Sequence, residues 1–194
     1  MSISDQIFAA HCGKSTVKPG EFVECEIDLV MVHEQLGGRI APEYNKLKRD
    51  KIWDPSKVFF ILDHWVPPPN VSAAKMHQKA RKFAKKYRFV HDMGQNQGIC
   101  HQVLPEKGFS RPGMLIIGSD SHTPTYGVFN CISLGVGATD IVAVFDQGRL
   151  WFRIPETIRI NLRGCLKSGV MGKDVALWML REFKTDGFIY QSLE

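Results

Sequence analysis

Met114-Leu-Ile-Ile-Gly-Ser-Asp-Ser-His-Thr-Pro124 is the stretch on which the fold of this chain turns. Met114–Ile117 is short and continuously apolar, and Gly118 and Ser119 close it. Such a run suits a parallel strand buried on both faces. Asp120, Ser121, His122 and Thr123 follow at once. Val58-Phe-Phe-Ile-Leu-Asp-His64 repeats the arrangement, an apolar run that ends in Asp63 and His64. Ligands of open parallel sheets bind beyond the carboxyl ends of the strands. The two polar ends are therefore expected to converge on one open cleft.

Outward from these runs, strands and helices alternate. Ser4–His11 reads as a helix with Ser4 or Ser2 as its cap, and Phe22–Val30 as a strand. Pro42–Lys51 reads as helical. After Pro67-Pro68-Pro69, Asn70 is placed to cap a long helix over Val71–Tyr87. Phe89–His91 reads as a strand and Gly98–Leu104 as a helical turn ended by Pro105. Gly135–Gln147 reads as a helix packed on the sheet, Thr157–Leu162 as a strand, and Gly172–Phe183 as a helix. The fold class expected is α/β, a three-layer α/β/α arrangement with a mostly parallel sheet. A composition shift near Trp151–Pro155 divides it into an N-terminal domain, 1–153, and the start of a second α/β domain, 154–194. Trp151, Phe152 and Trp178 are expected in the core.

The 194 residues carry a formal net charge of +5, with basic residues along Lys46–Lys51 and Lys75–Arg88. The second stretch has helical spacing and an apolar face, so it reads as a solvated helix face. It lacks the aromatic interleaving of a single-strand binder, and no nucleic-acid partner is expected. No run approaches the ~20 apolar residues of a membrane helix. The N-terminus shows no basic region before an apolar core. A cytoplasmic location is the expectation, with no membrane partner. Cys12, Cys25, Cys100, Cys131 and Cys165 include no Cys-x-x-Cys, so reduced thiols are expected.

Three places carry chemistry. Asp63 beside His64 suits proton transfer, because a carboxylate fixes the imidazole tautomer and stabilises its charged form. His101 lies in Gly98-Ile-Cys-His-Gln102, as an acid/base or carboxylate-binding group or as a core histidine. Asp120-Ser121-His122-Thr123 offers a base, two hydroxyls and an imidazole, suited to a substrate carboxylate or equally to a surface turn. Gly135-Val-Gly-Ala-Thr-Asp140 lacks the third glycine of a dinucleotide loop and follows no clear strand. It reads as close helix–sheet packing with Asp140 as a cap. His11, His77 and His91 read as structural.

The longer motifs resemble the aconitase superfamily, most closely the 3-isopropylmalate dehydratase large subunits. They are Gly98-Ile-Cys-His-Gln-Val-Leu-Pro-Glu106, Asp120-Ser-His-Thr-Pro-Thr-Tyr-Gly127, Gly135–Asp140 and Gly148–Ile158. Homoaconitase, aconitase and dimethylmalate dehydratase belong to the wider group. The resemblance implies reversible dehydration of a hydroxy-di- or tricarboxylate, as in leucine biosynthesis. It implies a [4Fe-4S] cluster acting as a Lewis acid. By the same resemblance His64, paired with Asp63, would protonate the leaving hydroxyl, and His101 would lie by a substrate carboxylate or the bound water. Asp120 and His122 would hold that water, and Ser121 and Thr123 would bind substrate. Where the family has His-Asp-x-Thr-x-Pro, this chain reads His33-Glu-Gln-Leu-Gly-Gly38, so Glu34 stands as the substrate-binding acid. Val128-Phe-Asn-Cys131 also departs from the family. The cluster's cysteine motifs are absent from this chain. The resemblance therefore implies that a partner completes it, either the missing C-terminal domains or a small subunit carrying the swivelling domain. Two other classes stay open: a hydrolase with one divalent ion on Asp63, His64, Asp120 and His122, and a non-catalytic assembly domain.

Overall fold

The computed structural model describes residues 1–94 and 97–194. Its centre is a five-stranded parallel sheet of β2 (Leu29–His33), β3 (Val58–Ile61), β4 (His91–Met93), β5 (Leu115–Gly118) and β6 (Ile132–Gly135), in the order β4-β3-β2-β5-β6. From β2 the chain winds one way to β3 and β4, then returns to β2's other side for β5 and β6. The order thus reverses between β2 and β5, and a crevice forms beyond their carboxyl ends.

Strand side chains alternate between two cores. Val30, Val32, Val58, Phe60, Leu115 and Ile117 face one side. There they meet Tyr44 from α2 (Glu34–Lys46), Ala80 and Phe83 from α3 (Val71–Lys86), and Phe145 from α5 (Ala138–Gln147). Leu29, Met31, Phe59, Ile61 and Ile116 face the other side. There they meet Val103 and Leu104 of α4 (Cys100–Glu106), and Tyr126 of the 3-10 turn Thr123–Phe129. This is the expected three-layer α/β/α fold. Burial on both faces explains why β2, β3 and β5 are apolar without alternation.

The expected single strand Phe22–Val30 is two strands in two sheets. β1 (Phe22–Glu26) alternates exposed and buried, and pairs antiparallel with β7 (Arg149–Arg153) in a separate ribbon. The chain changes sheet at Asp28, whose Oδ2 accepts the Leu115 N–H at 2.8 Å and lies 2.6 Å from His11 Nε2. That gives His11, at the end of α1 (Ile3–His11), a partner that the sequence did not name. Ser2, not Ser4, caps α1.

The helix expected at Pro42–Lys51 begins eight residues earlier, at Glu34, and runs through Pro42. Gly37 and Gly38 lie inside it, where α2 touches α3. A Cβ at Gly38 would stand 2.9 Å from Met76 Cε, and one at Gly37 3.2 Å from Ala80 Cβ. The strand expected at Phe89–His91 lies at His91–Met93, and Pro105 sits inside α4 rather than after it. β6 was missed altogether. Gly135-Val136-Gly137 therefore does follow a strand, and the next helix starts at Ala138, with Asp140 accepting the Gly137 N–H at 3.0 Å.

β8 (Glu156–Ile158) is shorter than expected and pairs in parallel with β9 (Gln191–Leu193). Between them lies α6 (Gly172–Phe183), which buries no residue. Ser4 of α1 touches this sheet through Ser192 and through its N–H to Glu194 Oε1 at 3.0 Å. Phe152 is buried as expected, but Trp151 is 63% exposed and Trp178 47%. Trp151 takes an outward position in β1–β7, where it lies against Phe22. Among the described residues no helix is long and apolar enough to cross a membrane.

Candidate active site

The switch point between β2 and β5 is tied shut before any site residue is placed. Ser119 Oγ accepts the His33 N–H at 3.0 Å, and His33 Nε2–H donates to the Ser119 carbonyl at 3.0 Å. His33 Nδ1 takes the Gln35 N–H at 3.3 Å and so caps α2. With one nitrogen donating and the other accepting, His33 is the neutral tautomer. Burial and the neighbouring His64 lower its pKa in the same direction.

Asp63 and His64 leave the end of β3. Asp63 Oδ1 lies 2.6 Å from His64 Nδ1, and Oδ2 accepts the Cys100 N–H at 2.6 Å. One carboxylate therefore orients the imidazole and fixes the start of α4, which has no side-chain cap of its own. Tyr126 reinforces that helix by donating to the Cys100 carbonyl at 3.1 Å. His101, next along α4, points its Nε2 at Asp120 Oδ1, 2.7 Å away.

Asp120 is the hub. Its Oδ1 also accepts the His122 N–H at 2.8 Å, and its Oδ2 lies 3.2 Å from His64 Nε2. His122 Nδ1 stands 3.2 Å from the same carboxylate. Burial opposes its charge, but the His122 N–H and the His101 and His64 imidazoles outweigh it, so its carboxyl is held well below the usual carboxylate range. For His64, burial likewise opposes charge, and the hydrogen bond to Asp63, the Asp63 charge and Asp120 prevail, raising its pKa. With a carboxylate on each ring nitrogen, His64 is placed to be an imidazolium near neutral pH.

The three sequence motifs thus meet around Asp120. Ser121 lies at the surface with its Oγ 3.4 Å from His122 Nδ1, and His122 is the most open member. Two expected substrate binders are elsewhere. Thr123 has no accessible surface and donates its hydroxyl to the Asp120 carbonyl at 2.6 Å. Glu34 has none either. Both support the site from beneath, because the turn after β5 and the start of α2 fold under it. The set expected for one divalent ion is also regrouped. His101, Asp120 and His122 bring three ligand atoms within 4.8 Å of one another, while Asp63 is turned to Cys100. Cavities of about 320 and 370 Å³ border α3. Sequence reasoning did not single out His33, whose ring stacks on His64 at 4.2 Å. Its signal was a histidine at the carboxyl end of an apolar strand.

Gly135 backs the hub. A Cβ there would stand 2.5 Å from the Asp120 carbonyl oxygen, a backbone atom fixed by Thr123. Gly135→Ala is expected to cost about 1–3 kcal/mol by overpacking and to push Asp120 out of place. Denaturant midpoints and a lowered His64 midpoint check it.

Residues 5–194 match the model of the aconitase family (aconitate hydratase). A probable 3-isopropylmalate dehydratase large subunit of Methanosarcina mazei is 43% identical over 198 aligned positions, covering 100% of this chain and 47% of the relative. A probable methanogen homoaconitase large subunit of Methanothermobacter thermautotrophicus is 40% identical over 202 positions, covering 100% and 46%. The 3-isopropylmalate dehydratase large subunit of Thermoanaerobacter pseudethanolicus is 39% identical over 196 positions, again covering 100% and 46%. The chain thus spans about half the length of these relatives. With the family pattern matched along nearly all of it, the chain belongs to the aconitase family.

Proposed function

We propose that this chain supplies the proton-handling half of a hydro-lyase site that dehydrates and rehydrates hydroxy-di- or tricarboxylates of the 3-isopropylmalate class. The carrying observation is the network at the switch point, in which His64 lies between Asp63 and Asp120 with its pKa raised. A hydroxide leaves poorly unless it is protonated, and a positioned imidazolium supplies that proton. In this reading His64 Nε2–H turns from Asp120 to the leaving hydroxyl as the C–O bond breaks, a base on the completing polypeptide takes the proton from the adjacent carbon, and Asp63 steadies the ring before and after transfer. His101 and Asp120 hold the departing water. Exposed Ser121 and His122 bind a substrate carboxylate. Homoaconitase-type substrates fit the same chemistry, since relatives of similar identity carry both names.

The described residues do not form a thiolate site for a [4Fe-4S] cluster. All five cysteines are free, and the two groups that gather ligand atoms contain none of them. No step here runs through a cluster. The reading assigns its ligands to polypeptide beyond this chain, in a C-terminal region or a small subunit. It also treats 1–153 as one domain and 154–194 as the start of another, whose exposed Leu162, Met171, Leu177 and Leu180 are to be covered by that polypeptide. The test compares the isolated chain with the protein assembled with the completing polypeptide, on a panel of 2- and 3-hydroxy dicarboxylates. Turnover only in the assembly supports the reading. Turnover or iron–sulfur absorption in the isolated chain contradicts it.

A further inference from the structure

Glu34 has no accessible surface, and among the described residues its carboxylate meets no cation closer than a long 3.9 Å contact to His77. The nearest titratable group of opposite potential charge, His77 Nε2 on α3, stays 3.9 Å from Oε1 and makes no hydrogen bond. What Glu34 does touch is backbone. Its Oε2 accepts the Asp63 N–H at 3.2 Å, and its Oε1 accepts the Trp65 N–H at 2.5 Å. These two N–H groups bracket His64. A carboxylate is costly to bury unless such bonds satisfy it, and here they span from the start of α2 to the turn after β3. The parallel register of β2 and β3, with His33 beside Ile61, puts Glu34 within reach of that turn.

The residue before it acts on the same turn. His33 stacks on the His64 ring with planes 22° apart. Consecutive residues at one strand end therefore hold the ring face and the backbone of a single histidine. We propose that Glu34 is a positioning residue for the Asp63–His64 pair, clamping the backbone on both sides of His64 so that its ring stays between Asp63 and Asp120. This deepens the reading of His64 as the acid and rests on it. The clamp itself is testable in this chain without turnover, so failure of the clamp and failure of the hydro-lyase reading are distinguishable.

The experiment follows His64 through its ring ¹⁵N signals against pH, and the Trp65 amide by hydrogen exchange, in the 194-residue chain. Glu34→Gln keeps the shape but offers one acceptor where two N–H donors point in. It is expected to lower the His64 midpoint by roughly half a unit or more, a threefold or greater fall in the ratio of imidazolium to neutral imidazole. Trp65 amide exchange is expected to rise about tenfold. The core variant Phe152→Leu, in the separate β1–β7 ribbon, is the control. It is expected to lower Tm and leave the His64 midpoint in place. If Glu34→Gln does not fold, Glu34→Asp retracts the carboxylate by one methylene and is expected to shift both readouts the same way. An unchanged His64 midpoint in the folded variant overturns the proposal, whatever happens to Tm.

Discussion

Asp63→Asn is expected to lower turnover by about 10²–10⁴ in the assembled protein, with a much smaller effect on KM. Asp63 meets two donors, the His64 imidazole and the Cys100 N–H, each at 2.6 Å. An amide has a single acceptor oxygen. If it keeps Cys100, its NH2 faces His64 Nδ1 and favours the neutral, wrongly protonated ring. If it keeps His64, α4 loses the bond that fixes its first turn, and His101 moves with it. The first outcome removes the proton donor from the leaving group, and the second displaces the His101 that holds the departing water. The split between kcat and KM checks the claim, since Asp63 does not face substrate in the proposed reading. A fall in substrate affinity with kcat retained would assign Asp63 to binding instead.

Asp120→Asn is expected to have the second largest effect, on turnover and on the pH dependence of stability together. Asp120 is the acceptor common to His64, His101 and the His122 N–H. Its pKa is lowered on folding, so its share of stability is present above its unfolded value near 3.8 and is lost as pH falls toward the lower folded value. His64 has the opposite sign. Its raised pKa stabilises fully below 6.5, and that share is lost as pH rises through the higher folded value. Asn at position 120 removes the first share and weakens the second. The variant is therefore expected to be less stable than the parent between about pH 3.8 and 6.5, where both shares are present, and to lose the parent's decline below 3.8, with a His64 midpoint below that of the parent chain. Denaturant unfolding at several pH values reads the first effect, and ring ¹⁵N titration the second.

Strand ends made much of this legible in sequence. Val58–Leu62 and Met114–Ile117 are apolar because the sheet is covered on both faces. The polar residues that follow them have to emerge at the same edge. That logic places Asp63-His64 and Asp120-Ser121-His122 together, and the structure joins them to His101 through Asp120. It does not reveal depth. Thr123 reads in sequence as a hydroxyl for substrate, and the family resemblance assigns Glu34 to substrate, but the turn beneath the site buries both. Nor does it reveal helix contact. Gly37 and Gly38 take their role only from the α3 that packs against them. β6 escaped notice because Ile132-Ser-Leu-Gly135 is short, mixed in character and closed by the glycine that Asp120 requires. His33 escaped because its histidine–histidine stack joins residues 31 positions apart.

The most direct test of the central claim is the pH profile of kcat/KM for dehydration in the assembled protein, with and without His64→Asn. The account predicts a parent profile that falls on the alkaline side with an apparent pKa above the ordinary 6.5 of histidine, because the acid must be protonated to act. In His64→Asn that limb disappears and the plateau drops by about two orders of magnitude or more. A His64→Asn protein that retains turnover within about threefold of the parent, with the alkaline limb intact, would contradict it.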